Sequence, residues 1–324
     1  MDLALPEAAA AFAASAEQAV TAMGGVDVAR RAEVDPSIRT TEVLAVLERL
    51  GVPDIDPRAD IESAAVAGEL CRIAGRHVLP FPIVGYVMAR PDEGTPAVLG
   101  SALPLRAEHG DLFDQWLVHD LSGDVYLAAP SSPPIGARLA PFTTDLIRKG
   151  SAERADGDDV QYLYLLWAYY LLGVAERALE LAIAHVKDRV QFGRPLAAMQ
   201  SVQFHVADAT VAVDGLRELA RFTLWRVASD PGTALADALA ARLQALDASH
   251  SVLRLAQQLH GASGLCDEYD ISILVRHVQP ALRLPVDSGA MSEMFFDATR
   301  TYGFESLFSL AADGGGAPSM LGGR

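Results

Sequence analysis

A mainly α fold is what this sequence predicts: an N-terminal helical module, a short β module, and a C-terminal antiparallel four-helix bundle. Three observations carry the prediction. The composition, 51% hydrophobic but only 7% aromatic, is dominated by Ala, Leu and Val, favouring helix formers over the Tyr, Thr and Ile of sheet proteins. Apolar residues from Leu163 onward (Leu166, Trp167, Tyr170, Leu171, Val174, Ala178, Leu181, Ala182) keep the three-and-four spacing of a buried helix face. Strand-like stretches are confined to one Pro- and Gly-rich region near the middle.

Taken in order, residues 1–90 read as a helical domain. Glu7 to Met23 is Ala-rich, Thr40 to Leu50 carries an apolar stripe, and Ile61 to His77 repeats it before Pro80 and Pro82 stop the helix. Residues 91–155 form the β module, in which Trp116 to Leu121 and Asp124 to Ala129 flank Ser122-Gly123 as a hairpin would. Ser131 to Pro134 and Glu153 to Asp159 read as connecting loops. Residues 156–312 form the bundle: a first helix running to Val190, a second from Met199 to Ser229, a third from Ala234 to His260 and a fourth from Glu268 to Leu284. A last helix from Gly289 to Arg300 follows, and residues 313–324 are a flexible Gly-rich tail.

The chain's 324 residues suffice for two or three packed units. A net charge of −16, from 42 acidic against 26 basic residues, disfavours nucleic acid and anionic membrane surfaces while leaving room for one anionic ligand held by local arginines. Cys71 and Cys266 are far apart and no secretory leader opens the sequence, so both read as reduced, buried thiols in a cytoplasmic protein. No apolar run reaches the length of a membrane span, and no His, Cys or carboxylate spacing suits a metal.

Two motifs narrow the reading. The first bundle helix runs into Arg189-Val-Gln-Phe192-Gly193-Arg-Pro-Leu196, followed by Gln200; the third ends in Gln258-Leu-His-Gly261-Ala-Ser-Gly264. In order and spacing these resemble the R-x-x-F-G-x-x-[LI] and Q-x-x-G-G-x-G segments of acyl-CoA dehydrogenases, whose layout also runs helical module, β domain, four-helix bundle. The resemblance implies that Arg189, Phe192, Gly193, Gln200, Gln258, Gly261 and Gly264 form a half-site for FAD that is shared across a subunit interface. An Arg can pair bidentately with a pyrophosphate, and Gly lets a ligand approach the backbone closely. Singly, each has a plainer role: Arg189 closing a helix, Gly193 in a turn, Gln258 a surface amide.

The sequence also departs from that family. Ala262 replaces the second Gly of the second block. The β module is about 60 residues where the family has about a hundred, and no Thr-Glu-Pro-like segment is present. The family's catalytic Glu, nine residues after the Arg of the fourth helix, falls here on Pro285, counted from Arg276. Its alternative position, on the first bundle helix, falls on Leu163 or Tyr164. Asp287 is the nearest candidate base, with helix N-capping as its plainer role. The resemblance therefore implies a base-lacking subunit of a heteromeric acyl-CoA dehydrogenase, similar to those acting on steroid-CoA side chains, paired with a full-length homologue and contacting its FAD and acyl-CoA. Two alternatives stand beside it: a self-sufficient flavoenzyme using Asp287, and a helical interaction module without ligands.

Overall fold

The computed structural model describes residues 4–89, 94–101, 104–154 and 158–303. The Gly-rich tail expected at 313–324 lies outside them.

The N-terminal helices are α1 (Glu7–Met23), α2 (Asp27–Val34), α3 (Ala45–Arg49), α4 (Ile61–His77) and α5 (Ile83–Val87). The stripe expected as one helix from Thr40 to Leu50 begins instead as a wider π-helical turn, Arg39–Leu44, that continues into α3. α4 starts where the Asp60 carboxylate accepts from the Ser63 amide, satisfying a donor the helix leaves unpaired.

The β module is larger than its sequence pattern suggested. Strands β1 (Ala97–Gly100), β2 (Arg106–Glu108), β3 (Trp116–Asp120), β4 (Asp124–Pro130) and β5 (Thr143–Arg154) form one sheet in the order β1-β3-β4-β5-β2. The predicted hairpin is β3–β4, antiparallel. The span from Glu153, expected as loop, is still strand as far as Arg154. β5 escaped notice because Asp145, Arg148 and Lys149 leave it little of a strand's apolar alternation. On one sheet face Trp116, Val118, Ala128, Ala107 and Leu146 build a small core of their own.

Beyond it come α6 (Asp159–Asp188), a two-stranded ribbon of β6 (Val190–Gln191) and β7 (Arg194–Pro195), α7 (Gln200–Ser229) and α8 (Leu235–His260). The fourth helix expected as one piece is two, α9 (Asp270–His277) and α10 (Gln279–Arg283), because Pro280 supplies no amide hydrogen to continue the ladder. α11 (Ser288–Tyr302) closes the described chain.

α6 is the axis of the molecule, buried almost all round from Gln161 to Glu176, with α4 on one side and α8 on another. α4 crosses it at backbone contact: a Cβ placed on Gly173 would lie 1.8 Å from the Arg72 carbonyl oxygen, and one on Gly75 1.9 Å from that of Tyr170. At the same crossing the buried Glu176 carboxylate receives Arg72 at 2.7 Å, Arg76 at 3.1 Å and, from α7, Arg217 at 3.1 Å. Cys71 is buried beside it, but Cys266, expected to be buried, is exposed in the turn after α8; both are free thiols.

Candidate functional site

The first motif is a tight hairpin projecting from the end of α6. The Arg189 amide bonds back to the His185 carbonyl, and the Leu196 amide closes on the Arg189 carbonyl at 2.9 Å. Between them Val190 pairs with Pro195 and Gln191 with Arg194, so the chain must reverse over Phe192 and Gly193 alone. Both take positive φ, 53° and 75°, the geometry of a two-residue turn that matches strand twist. Glycine accepts this freely, whereas for phenylalanine it costs on the order of 1 kcal/mol. The strained ring is not repaid by burial, since Phe192 is 91% exposed.

The second motif ends α8. Gly261 takes φ of 61° and stops the helix, its amide shared between the Gln257 and Gln258 carbonyls. Gly264 is buried, with room for a Cβ only at 3.0 Å from the Gln257 carbonyl. Ala262, where the resemblance expects glycine, is exposed.

The two motifs meet because the ends of α6 and α8 dock through a pair of histidines. The His185 and His260 rings stack at 4.2 Å, and Tyr269 stands edge-on to His260. Sequence reasoning missed both histidines: each is one turn or less from a motif residue, but only the docking of two helices pairs them. Burial, the facing His260 ring and the Arg189 charge, in that order, hold His185 below the ordinary histidine value, and Asp188 acts the other way. Arg189, Gln200, Gln258 and Gly261 are all exposed at or near this end. Among the described residues no carboxylate pairs with Arg189 and no side-chain hydrogen bond engages Gln200 or Gln258. A cationic fork, two free amides and a close-approach glycine on one surface fit a pyrophosphate-bearing group such as FAD.

The inward side of the chain is different. Pro285, at the family's base position, and Trp167, one turn beyond Leu163 and Tyr164, bound a cavity with Val98, Leu99, Glu108, Pro280 and Leu284. Its volume is about 20 Å³, room for a single water. Neither a flavin ring nor a thioester fits there. The backbone that closes it is pinned: the buried Arg242 guanidinium donates to the Ala281 carbonyl and reaches that of Leu284, and the Ser101 hydroxyl donates to Pro285 at 2.9 Å. Tyr164 is fully buried, with burial pushing its hydroxyl up, away from the acidity a base would need. Glu108 brings a carboxyl to this cavity, and burial pushes it up to about 8, so it is a neutral acid at pH 7. Strand alternation placed Glu108 opposite the inward Ala107, but nothing in the sequence told that its face is covered by Trp167 and Pro285.

Asp287 lies outside the cavity. It is exposed, and its carboxylate accepts from the Ala290 amide at 2.9 Å, the N-cap of α11. A further cleft, of about 510 Å³, lies between Arg39, Phe142 and Arg276, but its cations are spoken for: Arg39 forks onto Asp111 at 2.9 and 2.6 Å, Arg276 meets Glu33 at 2.9 Å, and Arg138 meets Asp267 at 2.7 Å. These pairs tie the N-terminal helices, sheet and α9 together. Among the described residues no cluster of His, Cys, Asp and Glu could hold a metal, and no helix is long and apolar enough to cross a membrane.

Residues 165–282, spanning both motifs, match the acyl-CoA dehydrogenase C-terminal domain family. This stretch belongs to that family. The acyl-CoA dehydrogenase FadE27 of Mycobacterium tuberculosis is 30% identical over 188 residues, 50% of this chain and 50% of that protein. The chain spans half or less of the length of curated relatives such as this one and the acyl-CoA dehydrogenase IpdE2 of Mycolicibacterium smegmatis, 33% identical over 120 residues, 37% of each chain. The fold is shared with the ChsE4-ChsE5 complex from Mycobacterium tuberculosis, at a TM-score of 0.75 and 18% identity over 93% of this chain and 99% of that one. The Tcur3481-Tcur3483 steroid ACAD is similar at a TM-score of 0.72 and 18% identity, over 92% and 99%.

Proposed function

We propose that this chain is the base-lacking subunit of a heteromeric FAD-dependent acyl-CoA dehydrogenase of the cytoplasm, completing the FAD site of a full-length partner that binds the acyl-CoA. One contrast carries the reading: an exposed, unengaged half-site around Arg189 and Gln258 stands on a chain whose inward cavity holds about 20 Å³. FAD, when bound, supplies the hydride acceptor for α,β-dehydrogenation. This chain's part is to hold it. Arg189 pairs with a phosphate, Gln200 and Gln258 offer amide hydrogen bonds, Gly193 and Gly261 admit the ligand to the backbone, the buried Gly264 lets the turn pack closely against the end of α8, and Phe192 covers an apolar surface of the site. With Pro285 at one of the family's two base positions and Leu163 or Tyr164 at the other, the α-proton is taken by a carboxylate of the partner. Two of the structural neighbours are two-component assemblies, one of them named a steroid ACAD, which supports a heteromeric partner and a steroid-CoA side chain as the acyl class.

Co-purification with a full-length acyl-CoA dehydrogenase homologue tests this. The pair is expected to be yellow and active, Arg189→Ala is expected to lose most of its flavin, and Asp287→Asn is expected to leave activity intact. A chain that stays flavin-free and partnerless in every such pairing overturns the reading.

A further inference from the structure

Beside the half-site stands the stacked pair His185 and His260, neither of which occupies a defined position of the two motifs. His260 Nδ1 lies 2.7 Å from the Ala256 carbonyl, which can only accept, so that nitrogen carries the hydrogen and the ring's orientation is fixed. Across from it at 4.2 Å, nearly parallel, is the His185 ring, one helical turn from Arg189. The groups around them are few. Arg189 and Asp188 come from α6's own end, and the Tyr269 ring from the segment entering α9. The turn 196–198 that packs on α6 brings only Leu196, Ala197 and Ala198. Two stacked imidazoles at this distance cannot both hold a charge, so they share one proton at most. Both also sit in the last turns of α6 and α8, where the carbonyl ends of the helices favour a cation.

We infer that His185 and His260 are a further, proton-linked part of the half-site: when a pyrophosphate anion pairs with Arg189, the histidine pair takes up a proton and adds a second positive charge to the grip. Without the anion, Arg189 opposes that charge; with it, the opposition is neutralised and the sign reverses. The linkage fixes the direction of the pH dependence. Affinity for the anion is high below the pair's unliganded titration, falls as pH rises through it, and levels off above the liganded titration. The inference rests on the half-site reading and gives it a pH dependence that Arg189 alone, charged at every accessible pH, cannot supply.

The test uses the full chain with ADP and FAD as probes, followed by calorimetry in two buffers of different ionisation heat and by the histidine C2–H resonances. Binding is expected to take up to about one proton per ligand, with affinity falling severalfold to about tenfold between about pH 5.5 and 7.5. The double variant His185→Gln with His260→Phe is expected to bind with a flat pH profile and no proton uptake, whereas either single variant keeps one imidazole beside Arg189 and some uptake. Binding that takes up no proton, or uptake that survives in the double variant, overturns the proton linkage while leaving the half-site standing. Absence of binding by either probe at every pH, with Arg189→Ala indistinguishable from the native chain, overturns the half-site and this inference with it.

Discussion

At the scale of single residues, Glu108 and Phe192 are both placed against their own preferences. Glu108 offers a pH test that needs no ligand. Burial raises its carboxyl from the ordinary 4.5 to about 8 in the folded chain, while in the unfolded chain it reverts. Between those values the folded state keeps a proton that the unfolded state has lost, so this group's contribution is fully present below about pH 4.5 and is lost as pH rises toward 8. Glu108→Gln, which keeps the shape and the neutral form, should flatten that part of the stability profile and leave the chain more stable than native at pH 8, as read by urea denaturation across pH. An unchanged slope would mean the carboxyl is ionised in the folded state. Phe192 was legible as a motif letter, and its exposure and positive φ are what the hairpin adds. Glu108, His185 and His260 were not legible, because each acquires its neighbours from another element: Glu108 from Trp167 and Pro285, and the histidines from the docking of two helix ends.

At the scale of elements, the crossing of α4 on α6 is the joint most sensitive to one atom. Gly173→Ala would push a methyl into the Arg72 carbonyl at 1.8 Å, where backbone rather than a flexible side chain must yield. The helices would have to separate, at a cost of about 3 kcal/mol or more. Glu176→Gln at the same crossing removes the one carboxylate that Arg72, Arg76 and Arg217 share and leaves them Glu69, Glu180 and Asp214 respectively, so the loss is that of charge-assisted hydrogen bonds, about 1.5–3 kcal/mol. Both are read by thermal or urea unfolding, and a loss below about 1 kcal/mol in either would deny the crossing its role. The helices themselves were largely visible: α1 and α4 begin and end where Ala-rich and apolar stripes do, and α6, α7 and α8 are long enough for periodicity to be unambiguous. Where the periodicity is short or interrupted it misled, at Arg39–Leu44, where the turn widens, and at Pro280, where the fourth helix splits into α9 and α10. β5 was hidden for the opposite reason: only its first residues, Thr143, Thr144 and Leu146, are buried, two of them polar, and the exposed, charged remainder is held by pairing with β4.

At the scale of the whole molecule, the proposed partner chain that covers the half-site makes a demand on α7 that can be tested. Its buried residues Val202, Ala209, Val213 and Leu216 face α6 and α8, as an amphipathic helix should, yet its other face is not uniformly polar. Phe204 is 61% and Val211 72% exposed, two turns apart on one stripe, in a chain whose charge of −16 offers ample polar residues for a solvated surface. Single exposed apolar residues are ordinary; two on one stripe of α7, on the chain that also exposes Val190 and Phe192, are candidates for the contact with the proposed partner. Introducing charge there separates folding from assembly. Phe204→Glu with Val211→Glu changes two exposed side chains, so the unfolding free energy of the isolated chain should move by less than about 0.5 kcal/mol per site. The mixed assembly with a catalytic partner, followed by sedimentation, should weaken by at least about a hundredfold, because two carboxylates would be desolvated without partners at the centre of the contact. If the double variant assembles as tightly as the native chain, α7 faces solvent and the partner must approach the half-site from the side of the hairpin and α8 alone.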